Sequence, residues 1–262
     1  MSGRIPIYFL NLDHRTDRRA FMEEQFAALG LTAERISAAT PETVPAEIVK
    51  RYADPRRPKF LSPQQLACTV SHRRAWQMLV DAGIGRALVL EDDAVLSATL
   101  PAFLSGLPLL PFDLIRIETS PRPHLTSEPI PGVMVAGVSL RLMRSTGWGS
   151  AGYIITAGAA RRLLDDPLVF SQAMDAALFC PLERPASGLR LAQADPALCT
   201  QLQNLKTGGD EVRRSDVNTY LKPRSLAPRV DRALRLVRWT AIKSWDALTR
   251  RDLKRRVIPF RR

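Results

Sequence analysis

The segment Ala87-Leu88-Val89-Leu90 constrains this chain most, because it is short, wholly apolar and followed at once by Glu91, Asp92 and Asp93. An apolar run of this length reads as a strand buried in the core. Three adjacent acids repel one another and raise one another's pKa, so this strand must leave the core where negative charge has a use or a solvent. A second β-rich run, IPIYFLNL (5–12), reads as the first strand. Helix signals lie between the two. Thr16 caps a helix that stops at Gly30. Ser62, Pro63 and Gln65 form a capping box with proline at the first helical position, opening a helix that ends at Gly83. Beyond the acids come a helix over 99–107, strands over 113–119 and 133–143, then a strand, a Thr156 cap and a helix within 150–164. Strands alternating with helices predict an α/β fold with a mixed, mostly parallel sheet and helices on both faces. Proline-containing stretches at 54–63, 121–131 and 181–185 read as loops, the first two long enough to fold over a site.

Charge divides the chain unevenly. The 262 residues carry a net +12, but Pro223–Arg262 holds 13 Lys/Arg against 3 Asp/Glu, a net of +10. The body, 1–222, is nearly neutral, which argues against a nucleic-acid-binding surface there. A basic tail, 223–262, is expected as a second unit. No apolar run approaches the ~20 residues that span a bilayer. The N-terminus lacks the longer apolar core of a secretory signal. Cys68, Cys180 and Cys199 are widely spaced, without a CxxC pair. They read as reduced thiols of a cytoplasmic protein, neither a disulfide framework nor a zinc site.

Open α/β sheets bind ligands at the carboxyl ends of their strands, where the three acids fall. A divalent cation would relieve their repulsion and supply the hard partner that carboxylates prefer. From this stretch alone, capping of the next helix or exposure to solvent is the alternative. An ATPase reading requires a GxxxxGK[ST] loop, which the chain lacks.

Four blocks narrow the choice: FLNLDHRTDRR (9–19), LACTVSHRRAW (66–76), ALVLEDDAVL (87–96) and GSAGYIITAGAARRLL (149–164), with a weaker fifth, AMDAAL (173–178). In this order and spacing the chain resembles glycosyltransferase family 25, the bacterial lipooligosaccharide glycosyltransferases with relatives among collagen galactosyltransferases. The resemblance implies a GT-A-like, Rossmann-type fold, a UDP-sugar donor and a divalent metal, Mn or Mg. It makes Asp93 the first choice of metal ligand. Glu91 would contact the metal, its water or the ribose, with Asp92 beside them. Asn11, Arg15 and Arg18 would hold the nucleotide, and Ser71 and His72 would lie near the donor. A Ser-His hydrolase is disfavoured, because adjacent helix positions point apart and no nucleophile elbow surrounds them. Gly149 and Gly152 allow close backbone approach, and Tyr153 is a candidate for the acceptor pocket. The family's enzymes invert, so a general base is expected; Asp175 fits by position, as base or metal ligand, with Glu118 and Asp113 in reserve. Two departures stand out: Gln64-Gln65-Leu66-Ala67 where relatives carry Gly-Glu-Ile-Gly, and Ala173-Met174 where Pro-Val is common.

The expected function is therefore inverting transfer of a hexose, galactose first, to a lipid-linked saccharide of the lipooligosaccharide type. The alternatives are an inactive nucleotide-sugar-binding protein and a basic nucleic-acid-associated protein. In the tail, Val230, Leu234, Val237, Ala241, Trp245 and Leu248 recur at steps of three or four. Arg232, Arg235, Arg238, Lys243 and Trp239 accompany them, the pattern of a helix lying on an anionic membrane surface at the inner face of the cytoplasmic membrane. A helix docked on the catalytic domain is the alternative.

Overall fold

The computed structural model describes residues 5–205 and 222–262. The first run forms β1 (Ile7–Asn11), and α1 (Thr16–Ala28) follows it. Thr16 is the first helical residue of α1, and Arg15 occupies the capping position that the sequence assigned to Thr16. After β2 (Glu34–Ser37) and α2 (Ala46–Tyr52), the capping box of Ser62 and Gln65 forms as expected and starts α3 (Pro63–Asp81). The apolar run becomes β3 (Arg86–Glu91), and Asp92-Asp93 turn the chain into β4 (Ala94–Leu96). Next come α4 (Leu100–Gly106), β5 (Leu114–Arg116), β6 (Glu118–Thr119), β7 (His124–Val135) and β8 (Val138–Met143). Then β9 (Gly152–Thr156) leads into α5 (Ala157–Asp165), which the Thr156 side chain caps. The chain continues through α6 (Met174–Phe179), β10 (Leu191–Asp195), β11 (Cys199–Gln201), α7 (Ala227–Thr249) and β12 (Lys254–Arg256).

Among the described residues nine strands make one sheet, in the order β12-β7-β8-β10-β5-β9-β3-β1-β2. Six of them run the same way, and β9, β8 and β12 run against them. Because β9 lies between β3 and β5, and β8 between β10 and β7, most neighbouring pairs are nonetheless antiparallel. A second sheet, β4-β11-β6, sits beside the end of β3. The expected 113–119 strand divides at Ile117, so that Glu118 leaves the main sheet for this smaller one.

Strand pleating distributes the core to both faces. Tyr8, Leu10, Ala87 and Val89 pack with Trp76 and Leu79 of α3 and Leu163 of α5. Ile7, Phe9, Leu88 and Leu90 pack with Met22 and Phe26 of α1 and Phe103 of α4. Strand β3 is thus covered on both sides, the reason its apolar run does not alternate with polar residues.

Two expectations change. Most of 121–131 is strand, not loop: β7 absorbs Pro129 and Pro131 through irregular register against β8, and of this stretch only Pro121 and Arg122, ahead of β7, approach the site. The C-terminal segment is also not one appendage. Strand β12 pairs with the edge strand β7, Ile258 is buried, and Ala197 N–H donates to Pro259 O at 2.9 Å. Among the described residues no helix is long and apolar enough to cross a membrane.

Candidate active site

Strands β1 and β3 are parallel neighbours, so Asn11 and Glu91 emerge at the same sheet edge. The antiparallel β9 begins there, with Gly152 opposite Leu90, which brings the loop Trp148–Ala151 over the acids. Helix α3 supplies Cys68, Ser71 and His72, β6 supplies Glu118, and the first turn of α6 supplies Asp175. Together these segments enclose a cleft of about 970 Å³, lined by Arg18, Glu91, Asp92, Asp93, Glu118 and Asp175 among others.

The three adjacent acids have separate environments. Asp92 is neutralised inside the protein: Arg18 Nη1 donates to its Oδ1 and Asn11 Nδ2 to its Oδ2, each at 2.8 Å. Burial still raises its pKa, against the pull of Arg18 and Asn11. Glu91 Oε1 accepts from His72 Nε2 at 3.2 Å and from the Ser150 hydroxyl. Burial would raise Glu91, yet the hydrogen bond and field of His72, with Ser150 and Arg18, outweigh it and hold the carboxyl below its ordinary range. Asp93 is the least compensated of the three: its Oδ1 is buried with no hydrogen-bond partner among the described residues, and Arg18 stands 3.8 Å from Oδ2. Burial and the charge of Glu91 raise its pKa to about 7, against the opposing pull of Arg18.

Glu118 and Asp175 complete the acid set. Burial raises Glu118 to about 8 despite Arg116, whose Nη2 lies 3.7 Å from Oε2. Its Oε1 has no hydrogen-bond partner among the described residues. Burial also raises Asp175, although the backbone N–H groups of Gly149 and Ala176 favour its charged form. Three consecutive residues each serve a different carboxylate. Gly149 N–H donates to Asp175 Oδ2 at 3.3 Å, Ser150 Oγ–H to Glu91, and Ala151 N–H to Glu118 Oε2 at 2.8 Å. The loop spaces the acids that line the cleft. Gly149 is required in it: φ is +92°, and a Cβ would stand 2.2 Å from Glu118 Oε1.

Several expected ligand contacts turn out to be internal. Asn11 spends its amide on Asp92, Arg15 O and Arg35 Nε. Arg15 pairs with Asp17 at 2.9 Å, apart from the residues that line the cleft. Ser71 Oγ accepts from Ala39 N–H and donates to Ala67 O, both at 2.8 Å, tying the loop after β2 to α3. His72 is buried and its Nε2 meets Glu91, and both Ser71 and His72 line the cleft. Trp76 Nε1–H donates to the Tyr153 hydroxyl, which bonds His72 Nδ1 at 2.8 Å. A carboxylate only accepts, so the His72 Nε2–H is the donor in its bond to Glu91. Tyr153 is fully buried in this chain, which removes it from the acceptor pocket. Asp113 accepts from Arg190 N–H away from the cleft, and loop 54–63 does not line it; Glu118 does.

The sequence passed over Ser150, which the Gly-Ser-Ala-Gly stretch signals, and Arg35, which braces Asn11 and Asp13. It also passed over the cleft rim. Trp148 is 41% exposed there, with the Arg122 guanidinium 4.7 Å from its ring centroid, and Gln201, Gln203 and Asn204 line the same cleft. The three cysteines are free thiols. Potential ligand atoms of Cys68, His72 and Glu91 gather within 4.8 Å, but His72 Nε2 is already engaged with Glu91.

Residues 4–110 match the family model described as glycosyltransferase family 25 (LPS biosynthesis protein). The lacto-N-neotetraose biosynthesis glycosyltransferase LgtB of Neisseria gonorrhoeae is 30% identical over 211 residues, 74% of this chain and 73% of that protein. The inactive glycosyltransferase 25 family member 3 of Mus musculus is 27% identical over 183 residues, 63% of this chain and 30% of that protein. A solved glycosyltransferase involved in glycosylation of the major capsid of PBCV-1 matches 80% of this chain and 96% of its own, at 11% identity and a TM-score of 0.42. The chain belongs to glycosyltransferase family 25.

Proposed function

We propose that this chain transfers a hexose, galactose first among candidates, from a UDP-sugar to a saccharide of lipooligosaccharide type, with inversion. The observation that carries the reading is the set of four carboxylates lining one cleft, Asp93 and Glu118 buried and Glu91 and Asp175 half-buried. LgtB and LgtE of Neisseria, named for lacto-N-neotetraose biosynthesis, support the acceptor class.

The residues present fit a divalent cation. Asp93 Oδ1 and Glu118 Oε1 are buried oxygens with no hydrogen-bond partner among the described residues, and an all-oxygen donor set suits Mn²⁺ or Mg²⁺. Asp93 would hold the ion, with Glu91 directly or through water; bound there, it supplies positive charge against the departing diphosphate. Arg18, already clamped to Asp92, adds a fixed positive charge at the same edge. Asp175 would take the proton from the acceptor hydroxyl. Burial makes its carboxylate more basic, and the Gly149 and Ala176 N–H groups orient it. Trp148 at the rim gives the apolar face of a sugar a surface to stack on, and the amides of Gln201, Gln203 and Asn204 suit its hydroxyls. The reaction then belongs at the inner face of the cytoplasmic membrane, where nucleotide sugar and lipid-linked acceptor meet.

An inactive nucleotide-sugar binder is the second reading. The similarity to inactive family members favours it, as do the departures at Gln64–Ala67 and Ala173-Met174. A screen of nucleotide sugars for donor hydrolysis, with Mn²⁺ and with chelator, tests both. Hydrolysis of a UDP-hexose supports the transferase; UDP-dependent thermal protection without turnover on any donor or acceptor supports the binder. Neither response would remove both.

A further inference from the structure

Helix α7 has no part in the cleft, and its polarity is inverted for a helix packed on a domain. Beyond its first turn, its half-buried positions among the described side chains are Asp231, Arg235, Trp239, Ile242 and Asp246, a row that includes an Asp231–Arg235 ion pair at 2.8 Å. Its exposed side carries Val230 at 55%, Leu234 at 66%, Val237 at 69% and Trp245 at 68% exposure, with Ala241 exposed between them. These five positions fall within one helical stripe. The side chains of Lys243 and Leu248, which the sequence added to this pattern, lie outside the described residues. Exposed Arg229 and Arg238 flank the stripe, and Arg251 follows the helix.

Both ends of α7 are tied down. Before it, Arg224 N–H donates to Pro55 O at 3.0 Å and Ser225 Oγ to Arg56 O at 2.6 Å. After it, β12 joins the main sheet through β7. The helix is a strap, held at two points, that turns its apolar stripe to solvent. A soluble domain gains nothing from exposing four large apolar side chains in line, each of which would be stabilised by removal from water.

We propose that α7 docks on an anionic phospholipid bilayer, lying in the interfacial plane. The stripe enters the acyl boundary, and the arginines meet headgroup phosphates. The occupant follows from charge: residues 223–262 carry a net +10, and a bilayer rich in phosphatidylglycerol offers an extended negative surface with an apolar layer below it. Because the strap is fixed at both ends, docking also sets how the catalytic domain faces the bilayer. The inference does not depend on the glycosyl-transfer reading.

Co-sedimentation of the full chain with phosphatidylglycerol/phosphatidylethanolamine vesicles tests it, with phosphatidylcholine vesicles as the neutral control. Wild type should pellet with the anionic vesicles and weakly with the neutral ones, its tryptophan emission shifting to the blue. Combined Arg229→Gln, Arg238→Gln and Arg251→Gln should weaken partition about 100-fold and flatten its salt dependence. Combined Val230→Ser, Leu234→Ser and Val237→Ser, all at exposed sites, should weaken it by a similar ~100-fold and leave donor hydrolysis and the thermal midpoint unchanged. Equal pelleting of wild type and the serine variant would overturn the proposal. So would wild type that ignores vesicles but self-associates through the stripe, which would assign the face to a second copy.

Discussion

Glu118→Gln isolates the electrostatic cost of the buried acid set. Folded Glu118 titrates at about 8, against 4.5 for an ordinary glutamate, because burial disfavours its charge. Between those values the folded chain keeps a proton that the unfolded chain has lost. Native protein binding more protons means that stability falls as pH rises, by about 1.4 kcal/mol per pH unit for this one group. Across the whole window the loss amounts to roughly 4–5 kcal/mol. A glutamine copies the neutral acid: its amide oxygen can accept from Ala151 N–H, as Glu118 Oε2 does at 2.8 Å, and nothing is left to ionise. The variant should match wild type near pH 5 and become the more stable protein by several kcal/mol near pH 8. Urea unfolding in chelator at stepped pH reads the difference, and Asp93, present in both proteins, largely cancels from it. Parallel stability curves from about pH 5 to about pH 8 would refute the reasoning.

Asp93→Asn should cut turnover about 10²-fold or more with the thermal midpoint near wild type, and undiminished activity in excess chelator would remove the metal assignment. Asp175→Asn should slow the chemical step ~10²-fold while sparing UDP affinity; a collapse of Mn²⁺-UDP binding instead would make Asp175 a ligand. Gly149→Ala should cost about 3 kcal/mol, from the positive φ and the displaced Glu118 carboxylate, read as a lower urea midpoint. Trp148→Ala should raise the acceptor KM about 10-fold with donor hydrolysis unchanged, the loss expected for one aromatic contact; an unchanged KM would take Trp148 out of the acceptor site.

Signals confined to a few consecutive residues were legible without coordinates. The Ser62–Gln65 box, the Thr156 cap and the apolar run of β3 depend on local hydrogen bonding and on solvent avoidance, so the chain carries them in order. The approach of the acids to one sheet edge followed in the same way, from strands ending in polar residues. Antiparallel insertion was not legible. Strand β9 sits between β3 and β5 because of partners far away in sequence, and that placement turns Gly149, Ser150 and Ala151 toward three acids. The roles within the acidic run were hidden for the same reason. Asp92 and Asp93 are adjacent and alike in type, but Asn11 and Arg18 reach both oxygens of Asp92, while Asp93 Oδ1 has no partner among the described residues. In the C-terminal segment the sequence could count charge and mark a stripe. Only the strapping of α7 at both ends decides which way that stripe faces, because orientation is set by where the flanking strand finds an open sheet edge.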